Sequence, residues 1–101
     1  MYERQVVDTT IVDGHTLVVA DFDGDGFDEI VVGQRGGSRS LWLYTQTPSG
    51  SWSKSTIDDG GMGAAGCAAA DFNGDGRIDL ACIGTATANL KWYENLTSKK
   101  R

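Results

Sequence analysis

The sequence predicts an all-β protein built of β-propeller blades, and three observations support this fold. The chain repeats itself at an offset of 50 residues, so that residues 20–26 fall on residues 70–76 with six of the seven positions identical. Short runs of β-favouring residues alternate with turn residues, and no segment keeps apolar residues at helical spacing for three turns. A repeat of this length with four short strands is typical of a propeller blade.

Each repeat contains four predicted strands. They cover residues 4–10, 17–20, 30–33 and 41–45 in the first repeat (residues 1–50), and residues 53–57, 67–70, 80–83 and 90–94 in the second (residues 51–101). The second and third strands are continuous apolar runs, as expected of strands that are covered on both faces. The first strand mixes charged and apolar residues, which predicts a solvated outer edge. A small sandwich of two hairpins is the alternative architecture.

Composition narrows the choice of partners. Nine basic residues stand against 14 acidic ones, and the formal net charge of −5 argues against nucleic acid or an anionic membrane surface as partner. No apolar run approaches the roughly 20 residues of a membrane span, and the start of the chain does not have the pattern of a secretory signal. The acidic residues therefore need another explanation.

Oxygen-bearing side chains recur at the same four positions of a nine-residue loop in both repeats. Counted from the first Asp, positions 1, 3, 5 and 9 are Asp21, Asp23, Asp25 and Glu29 in the first loop, and Asp71, Asn73, Asp75 and Asp79 in the second. Alternate side chains of a tight loop can converge on one point, and a hard cation such as Ca²⁺ takes six to eight oxygen ligands. The sequence therefore predicts two Ca²⁺ ions per chain.

The remaining loop positions agree with a metal site. Position 6 is Gly26 or Gly76, where a sharp turn needs a positive φ. Position 7 is Phe27 or Arg77, which we expect to contribute a backbone carbonyl, so that its side chain is free to vary. Clustered carboxylates repel one another without a counter-ion, and two Ca²⁺ would bring the net charge of −5 to −1. Acidic turns that bind no ion are the alternative.

Two related calcium motifs fit less well. The loop of an EF-hand or a dockerin-like module also begins Asp-x-Asp-x-Asp-Gly, but it needs an acidic residue at position 12 and a helix afterwards. Position 12 is Val32 or Cys82 here, within an apolar strand. Asp28 and Glu29 are adjacent, and either could close the first site.

Both acidic stretches, with the apolar residues that follow them, resemble the FG-GAP or VCBS repeats of integrin-α-like propellers. The resemblance covers both repeats and is most specific in the loops. It implies seven-bladed propellers with calcium in the hairpin between the first two strands of a blade, and an extracellular or secreted origin. The ligands that it implies are Asp21, Asp23, Asp25, Phe27, Glu29, Asp71, Asn73, Asp75, Arg77 and Asp79.

Two repeats alone cannot close a ring, because a propeller needs four to eight blades. The strand order indicates one complete blade, running from residue 17 to residue 57, with an outer strand before it and an incomplete blade after it. Pairing of these ends between neighbouring copies would build a head-to-tail ring. We therefore expect a homo-oligomer, either a trimer with six blades or a tetramer with eight.

The remaining chemical groups give weaker signals, and none predicts a catalytic residue. His15 has no second His and is interpreted as a solvated loop residue. Cys67 and Cys82 could be cross-strand neighbours, and two buried thiols are favoured over a disulfide. Asn95 begins an Asn-Leu-Thr acceptor for N-glycosylation. Several aromatic residues could stack on sugars or wedge blades together: Trp42, Tyr44, Trp52, Trp92 and Tyr93.

Three functional classes remain open. The first is a calcium-stabilised structural, assembly or binding module with a protein or carbohydrate ligand. The second is a lectin, because fungal propeller lectins with similar calcium loops bind sugars between blades. The third is a non-catalytic piece of a sugar lyase, since the chain also resembles, more faintly, blades of aldos-2-ulose dehydratase-like proteins. We expect the chain itself not to be an enzyme.

Overall fold

The computed structural model describes residues 1–97, and within this range it contains seven strands and no helix. The strands are β1 Gly14–Ala20, β2 Glu29–Gln34, β3 Leu41–Gln46, β4 Trp52–Asp58, β5 Ala64–Ala70, β6 Asp79–Gly84 and β7 Leu90–Tyr93. They form two antiparallel sheets with the strand orders β1-β2-β3-β4 and β5-β6-β7. We call these sheets blade 1 and blade 2, and the predicted all-β propeller-blade class is confirmed.

The register of the two blades follows the sequence repeat. Leu17 pairs with Val32 in blade 1, and Cys67 pairs with Cys82 in blade 2. Both first hairpins have an irregular register at the start of the inner strand, between Gly14 and Thr16 and between Ala64 and Gly66. The same turn chemistry at the same offset therefore gives the same hairpin.

One predicted strand is absent. Residues 4–10 form no strand, although their composition favours one, because no strand lies beside them to complete the hydrogen-bond ladder. The other seven predicted strands are present, and β1 and β5 each begin three residues before the predicted start. The outer strand of blade 1 is β4, which is largely exposed as expected of a solvated edge.

The core lies between the blades. Val31 and Leu41 of blade 1 are completely buried against Leu80 and Cys82 of blade 2. Met62, from the segment that joins the blades, is also completely buried. Each blade therefore buries its apolar residues chiefly by facing the other, as stacked repeats do.

The two cysteines form a disulfide. Cys67 of β5 and Cys82 of β6 are directly paired, with a Cα–Cα distance of 4.1 Å. The preference for two buried thiols was therefore wrong, whereas the cross-strand placement was right. Sequence placed the two residues opposite each other but left their oxidation state open, because the counterpart pair Leu17 and Val32 shows that these positions need no covalent link.

The segment before blade 1 follows the same path as the segment between the blades. Arg35 donates its backbone N–H to the carbonyl of Asp13, at 3.0 Å, and Thr85 donates to Gly63 at 2.9 Å. Donors and acceptors in these two bonds differ by 50 positions. Residues 8–13 are therefore placed on blade 1 as residues 58–63 are placed on blade 2.

Candidate metal centres

The acidic loops connect the first two strands of each blade. Ala20, the last residue of β1, pairs with Glu29, the first residue of β2, and Ala70 pairs with Asp79 in the same way. Position 9 of each loop is therefore fixed at the start of a strand, while positions 1 to 8 form the turn. Gly26 has φ +91° and Gly76 has φ +83°, so each turn uses the positive φ that glycine allows.

The first carboxylate of each loop organises the turn. One oxygen of Asp21 accepts the N–H groups of Gly24 and Asp25 at 2.9 and 3.1 Å, and the other accepts that of Gly26 at 2.9 Å. Asp71 accepts the corresponding three bonds in blade 2 at 2.8 to 3.1 Å. The pKa of Asp21 is lowered, chiefly by the Gly26 N–H. These bonds hold the loop in shape while the carboxylate stays charged.

The carboxylate at position 9 is buried. Glu29 is 2% exposed and Asp79 is 1% exposed, and each accepts the N–H of the Phe at position 2, at 2.8 and 3.1 Å respectively. Burial raises the pKa of the Glu29 carboxyl, an effect to which the charges of Asp23 and Asp25 add and which two backbone N–H groups oppose. Burial and the neighbouring negative charges both disfavour the ionised form of Glu29, and a bound cation would stabilise that form.

The side chains at the predicted acidic positions converge. Asp21, Asp23, Asp25 and Glu29 each offer an oxygen, and all these atoms lie within 4.8 Å of one another; Asp71, Asp75 and Asp79 meet the same criterion. Asp28 is exposed and lies outside the first cluster. The carbonyl ligands expected from Phe27 and Arg77 stay predictions.

The two centres differ in charge. Asn73 replaces the acid at position 3, and its Oδ1 accepts the Asp75 N–H at 3.3 Å as Asp23 accepts that of Asp25 at 3.2 Å. The Arg77 guanidinium donates to Oδ2 of Asp75 at 3.2 Å. The second centre therefore has three carboxylates where the first has four. One of the three, Asp75, is also paired with the Arg77 guanidinium, which would compete with a metal ion.

A family model described as the FG-GAP-like repeat matches residues 21–82, which is more than half of the chain and includes both acidic loops. The chain belongs to this family. No curated protein and no solved structure matches it significantly. FG-GAP-like repeats form β-propeller-type modules that often bind calcium, and the acidic clusters of this chain lie in the hairpins where the resemblance implied them.

One residue that sequence analysis did not assign to the site joins the two FG-GAP-like loops. Asn95 donates its side-chain amide to the carbonyls of Phe22 and Ile78 at 2.5 and 2.9 Å, and its backbone N–H to Asp79 at 2.8 Å. Its amide is therefore committed to the fold at the position where a glycan would be attached. No sequence signal indicated this, because the repeat counterpart Gln46 instead bonds the carbonyl of Gly50.

An aspartate clasp links each FG-GAP-like blade to the segment before it. Asp58 of β4 accepts the Tyr93 hydroxyl at 2.6 Å and the Lys91 ammonium at 2.9 Å. Asp8 accepts the Tyr44 hydroxyl at 2.6 Å and the Lys54 ammonium at 3.0 Å. The sequence repeat aligns Asp8 with Asp58 and so indicates that the two residues are equivalent. It does not indicate which side chains they contact.

The other candidates take positions in the strands. His15 lies within β1, so its interpretation as a loop residue was wrong, and its Nδ1 is 3.0 Å from the carbonyl of its own repeat counterpart, Ala65. Trp42 lies under the Lys54 ammonium at 4.1 Å from the ring centroid. Tyr44 is 2% exposed, whereas Trp92 is 50% exposed. Within the described residues no helix is long and apolar enough to cross a membrane.

Proposed function

We propose that this FG-GAP-like chain is a calcium-stabilised propeller module whose role is assembly or binding rather than catalysis. The observation that carries the proposal is the convergence of three or four carboxylates at the same hairpin position of both blades. All their donor atoms are hard oxygens, the ligand class that Ca²⁺ prefers. The residues of both loops therefore fit two Ca²⁺ ions per chain.

Calcium at these sites would act on stability. With a dissociation constant near 10⁻⁴ M and about 1 mM Ca²⁺, one site contributes roughly 1.4 kcal/mol to the free energy of unfolding. Two such sites contribute roughly 3 kcal/mol, which is a sizeable share of a typical 5 to 15 kcal/mol. An extracellular setting, where calcium is abundant and disulfides persist, agrees with the bond between Cys67 and Cys82.

The test is a calorimetric titration of the chelator-treated chain with CaCl₂. We expect two sites in the natural sequence and one site in each of the variants Asp21→Asn and Asp71→Asn. The matched control is Asp28→Asn, which removes the same charge outside the cluster and keeps both sites. A stoichiometry of zero, or loss of a site in the control, would contradict the proposal.

Self-assembly into a complete ring is the second part of the proposal, and it is supported by two unequal sheet faces. The blade 1 face that carries Val31 and Leu41 is covered by blade 2. The equivalent face of blade 2 carries Ile83, Leu90 and Trp92, which are 56%, 74% and 50% exposed. Large apolar side chains grouped on one sheet face are typical of an interface.

The far face of blade 1 is the complementary surface. Leu17 and Val19 of β1 are 66% and 52% exposed there, at positions equivalent to Cys67 and Ala69 on the blade 2 face that packs on blade 1. Contact of this surface with the exposed face of blade 2 in another copy would repeat the contact already present between the blades. Three copies give six blades and four copies give eight, and the mass in solution, against 10.8 kDa for one chain, tests it.

A further inference from the structure

We propose that residues 2–8 of one copy form the fourth strand of blade 2 in a second copy. This inference rests on the proposed self-assembly and specifies the backbone contact that would hold the copies together. Blade 2 has strands β5, β6 and β7 but no strand beside β7 among residues 1–97. This edge fits a segment of β-forming sequence, and residues 2–8 are such a segment that forms no strand in the single chain.

The repeat identifies that segment. At the offset of 50 residues Tyr2 falls on Trp52, Arg4 on Lys54 and Asp8 on Asp58, so residues 2–8 are the counterpart of β4. β4 pairs with β3, and the counterpart of β3 in blade 2 is β7. Residues 2–8 therefore belong beside a β7 strand.

Residues 2–8 and the β7 strand of the same copy lie on opposite sides of blade 1. Asp8 is held against blade 1 by its bonds with Tyr44 and Lys54. Blade 1 lies between this segment and blade 2, because the opposite face of blade 1 packs on blade 2. A pairing of residues 2–8 with β7 therefore takes place between copies.

The segment is already in position for such a contact. Residues 8–13 follow the path that residues 58–63 follow from β4 to blade 2, so the residues before Asp8 are where the outer strand of a preceding blade would end. In the single chain they bury little: Tyr2 is fully exposed and Val6 is 69% exposed. An unpaired edge such as β7 is a template for strand addition.

The repeat also predicts the register. Transferring the β3–β4 pairs to blade 2 places Arg4 beside Tyr93, Gln5 beside Trp92 and Val6 beside Lys91. The same register places Glu3 beside Glu94. Like charges directly opposite each other on two strands are unfavourable, so this one pair gives a test of the register.

The first experiment measures the mass of the complete 101-residue chain by sedimentation equilibrium in 1 mM CaCl₂. The test variant is Gln5→Pro/Val6→Pro. Successive backbone N–H groups of a strand point to opposite sides, so one of the two replacements removes a ladder bond whichever side faces β7. The matched control is Gln5→Thr/Val6→Thr, which keeps both N–H groups and strand propensity.

We expect the natural chain and the threonine control to sediment at three or four times 10.8 kDa. The proline variant should associate at least about tenfold more weakly, because a lost ladder bond costs on the order of 1 kcal/mol and proline also disfavours the strand. If the proline variant keeps the mass and affinity of the control, the strand pairing is wrong although assembly stands. If the natural chain sediments as a single copy, both are wrong.

Calcium titration of the same samples shows whether a change in association comes from the strand contact or from lost calcium binding. Residues 2–8 belong to no element of the single chain, so the proline variant should keep its far-ultraviolet circular dichroism and its two calcium sites. Loss of calcium binding in that variant would show that the segment serves the fold of its own chain, and it would overturn the proposal.

The second experiment tests the register. Glu3→Lys should tighten association about two- to fivefold per interface, because it replaces a like-charge pair by an opposite one, and Glu3→Lys/Glu94→Lys should lose this gain. The control Ser49→Lys/Ser51→Lys makes the same charge change of +2 at two exposed positions around a turn and should have no comparable effect. An equal effect of Ser49→Lys/Ser51→Lys would show that the gain comes from net charge alone, and it would contradict the register.

Discussion

Asp58 at the end of β4 accepts a hydrogen bond of 2.6 Å from the hydroxyl of Tyr93 on β7, and this bond joins the outer strand of blade 1 to blade 2. Lys91 adds an ammonium donor to the same carboxylate at 2.9 Å. A charged acceptor bound by two side chains and by the Gly61 N–H is a strong local constraint. The contact between the blades is therefore directional as well as apolar.

Replacement of Asp58 should test how much this contact contributes. Asp58→Asn keeps the shape but removes the charge that two donors share, and we expect a loss of about 1 to 3 kcal/mol in the free energy of unfolding at pH 7. Urea denaturation followed by tryptophan fluorescence measures it. Asp59→Asn is the matched control, because Asp59 accepts one side-chain hydrogen bond from residues 1–97, that of the Ser40 hydroxyl at 3.5 Å. This variant should change stability by less than about 0.5 kcal/mol.

The same clasp predicts how stability depends on pH. The pKa of Asp8 is lowered by its bonds from Thr10, Tyr44 and Lys54, and the pKa of Asp58 is lowered because its hydrogen bonds outweigh its desolvation. An acid with a lowered pKa stabilises the fold fully above its ordinary value of 3.8, and this contribution is lost as the pH falls through the folded-state pKa.

The difference in stability between the natural chain and Asp58→Asn should therefore be full at pH 6 and should shrink as the pH falls below about 4. Both proteins should be melted in excess chelator, so that protonation of calcium ligands does not contribute. A difference that stays constant down to pH 2 would show that the charge of Asp58 is unimportant.

The disulfide should stabilise one metal centre and not the other. Cys67 and Cys82 close a loop with a sequence separation of 15 that contains the second acidic hairpin, whereas the first hairpin has no such bond. A loop of this size is worth about 3 kcal/mol in the chain-entropy description. Reduction should lower the melting temperature and weaken calcium binding at the second site, and a titration of Asp71→Asn under reducing conditions should show the first site unchanged.

Asn95 should couple the two loops. Its amide donates to carbonyls in both, so Asn95→Ala leaves two partly buried carbonyl groups without this donor and should cost about 1 to 3 kcal/mol. The control Asn73→Ala removes a bond within one loop and to Glu94. We expect Asn95→Ala to reduce calcium affinity at both sites and Asn73→Ala at the second site only. An Asn95→Ala protein that melts like the natural chain would contradict this role.

The sequence predicts the features that are local and that occur in both repeats. The hairpins follow from apolar runs bounded by turn residues, and the acidic loops from the spacing of oxygen-bearing side chains. The same grounds predict a strand over residues 4–10, and these residues form none in the single chain because a strand also needs a neighbour. Residue propensity indicates that a segment can form a strand, whereas pairing with a neighbouring strand decides whether it does.

Contacts between repeats could not be predicted in this way. The bonds of Asn95 with Phe22 and Ile78 depend on how the blades face each other, and its counterpart Gln46 does not make them. The repeat left the disulfide undecided as well, since the paired positions of Cys67 and Cys82 are filled in blade 1 by Leu17 and Val32, which pack there without a covalent link. The sequence repeat predicts which residues occupy equivalent positions in the two blades. The residues that differ between the two repeats determine the contacts between the blades.

The small side chains of β5 have a consequence for how the chain acquires its structure. Its sequence is Ala-Ala-Gly-Cys-Ala-Ala-Ala, whereas β1 carries Leu-Val-Val at the equivalent central positions. Alanine and glycine gain little free energy on leaving water, so blade 2 has a weak driving force of its own. We expect blade 1 to form first and to act as a template on which blade 2 orders, and pulse-labelled hydrogen exchange should show β1–β3 amides protected before those of β5–β7.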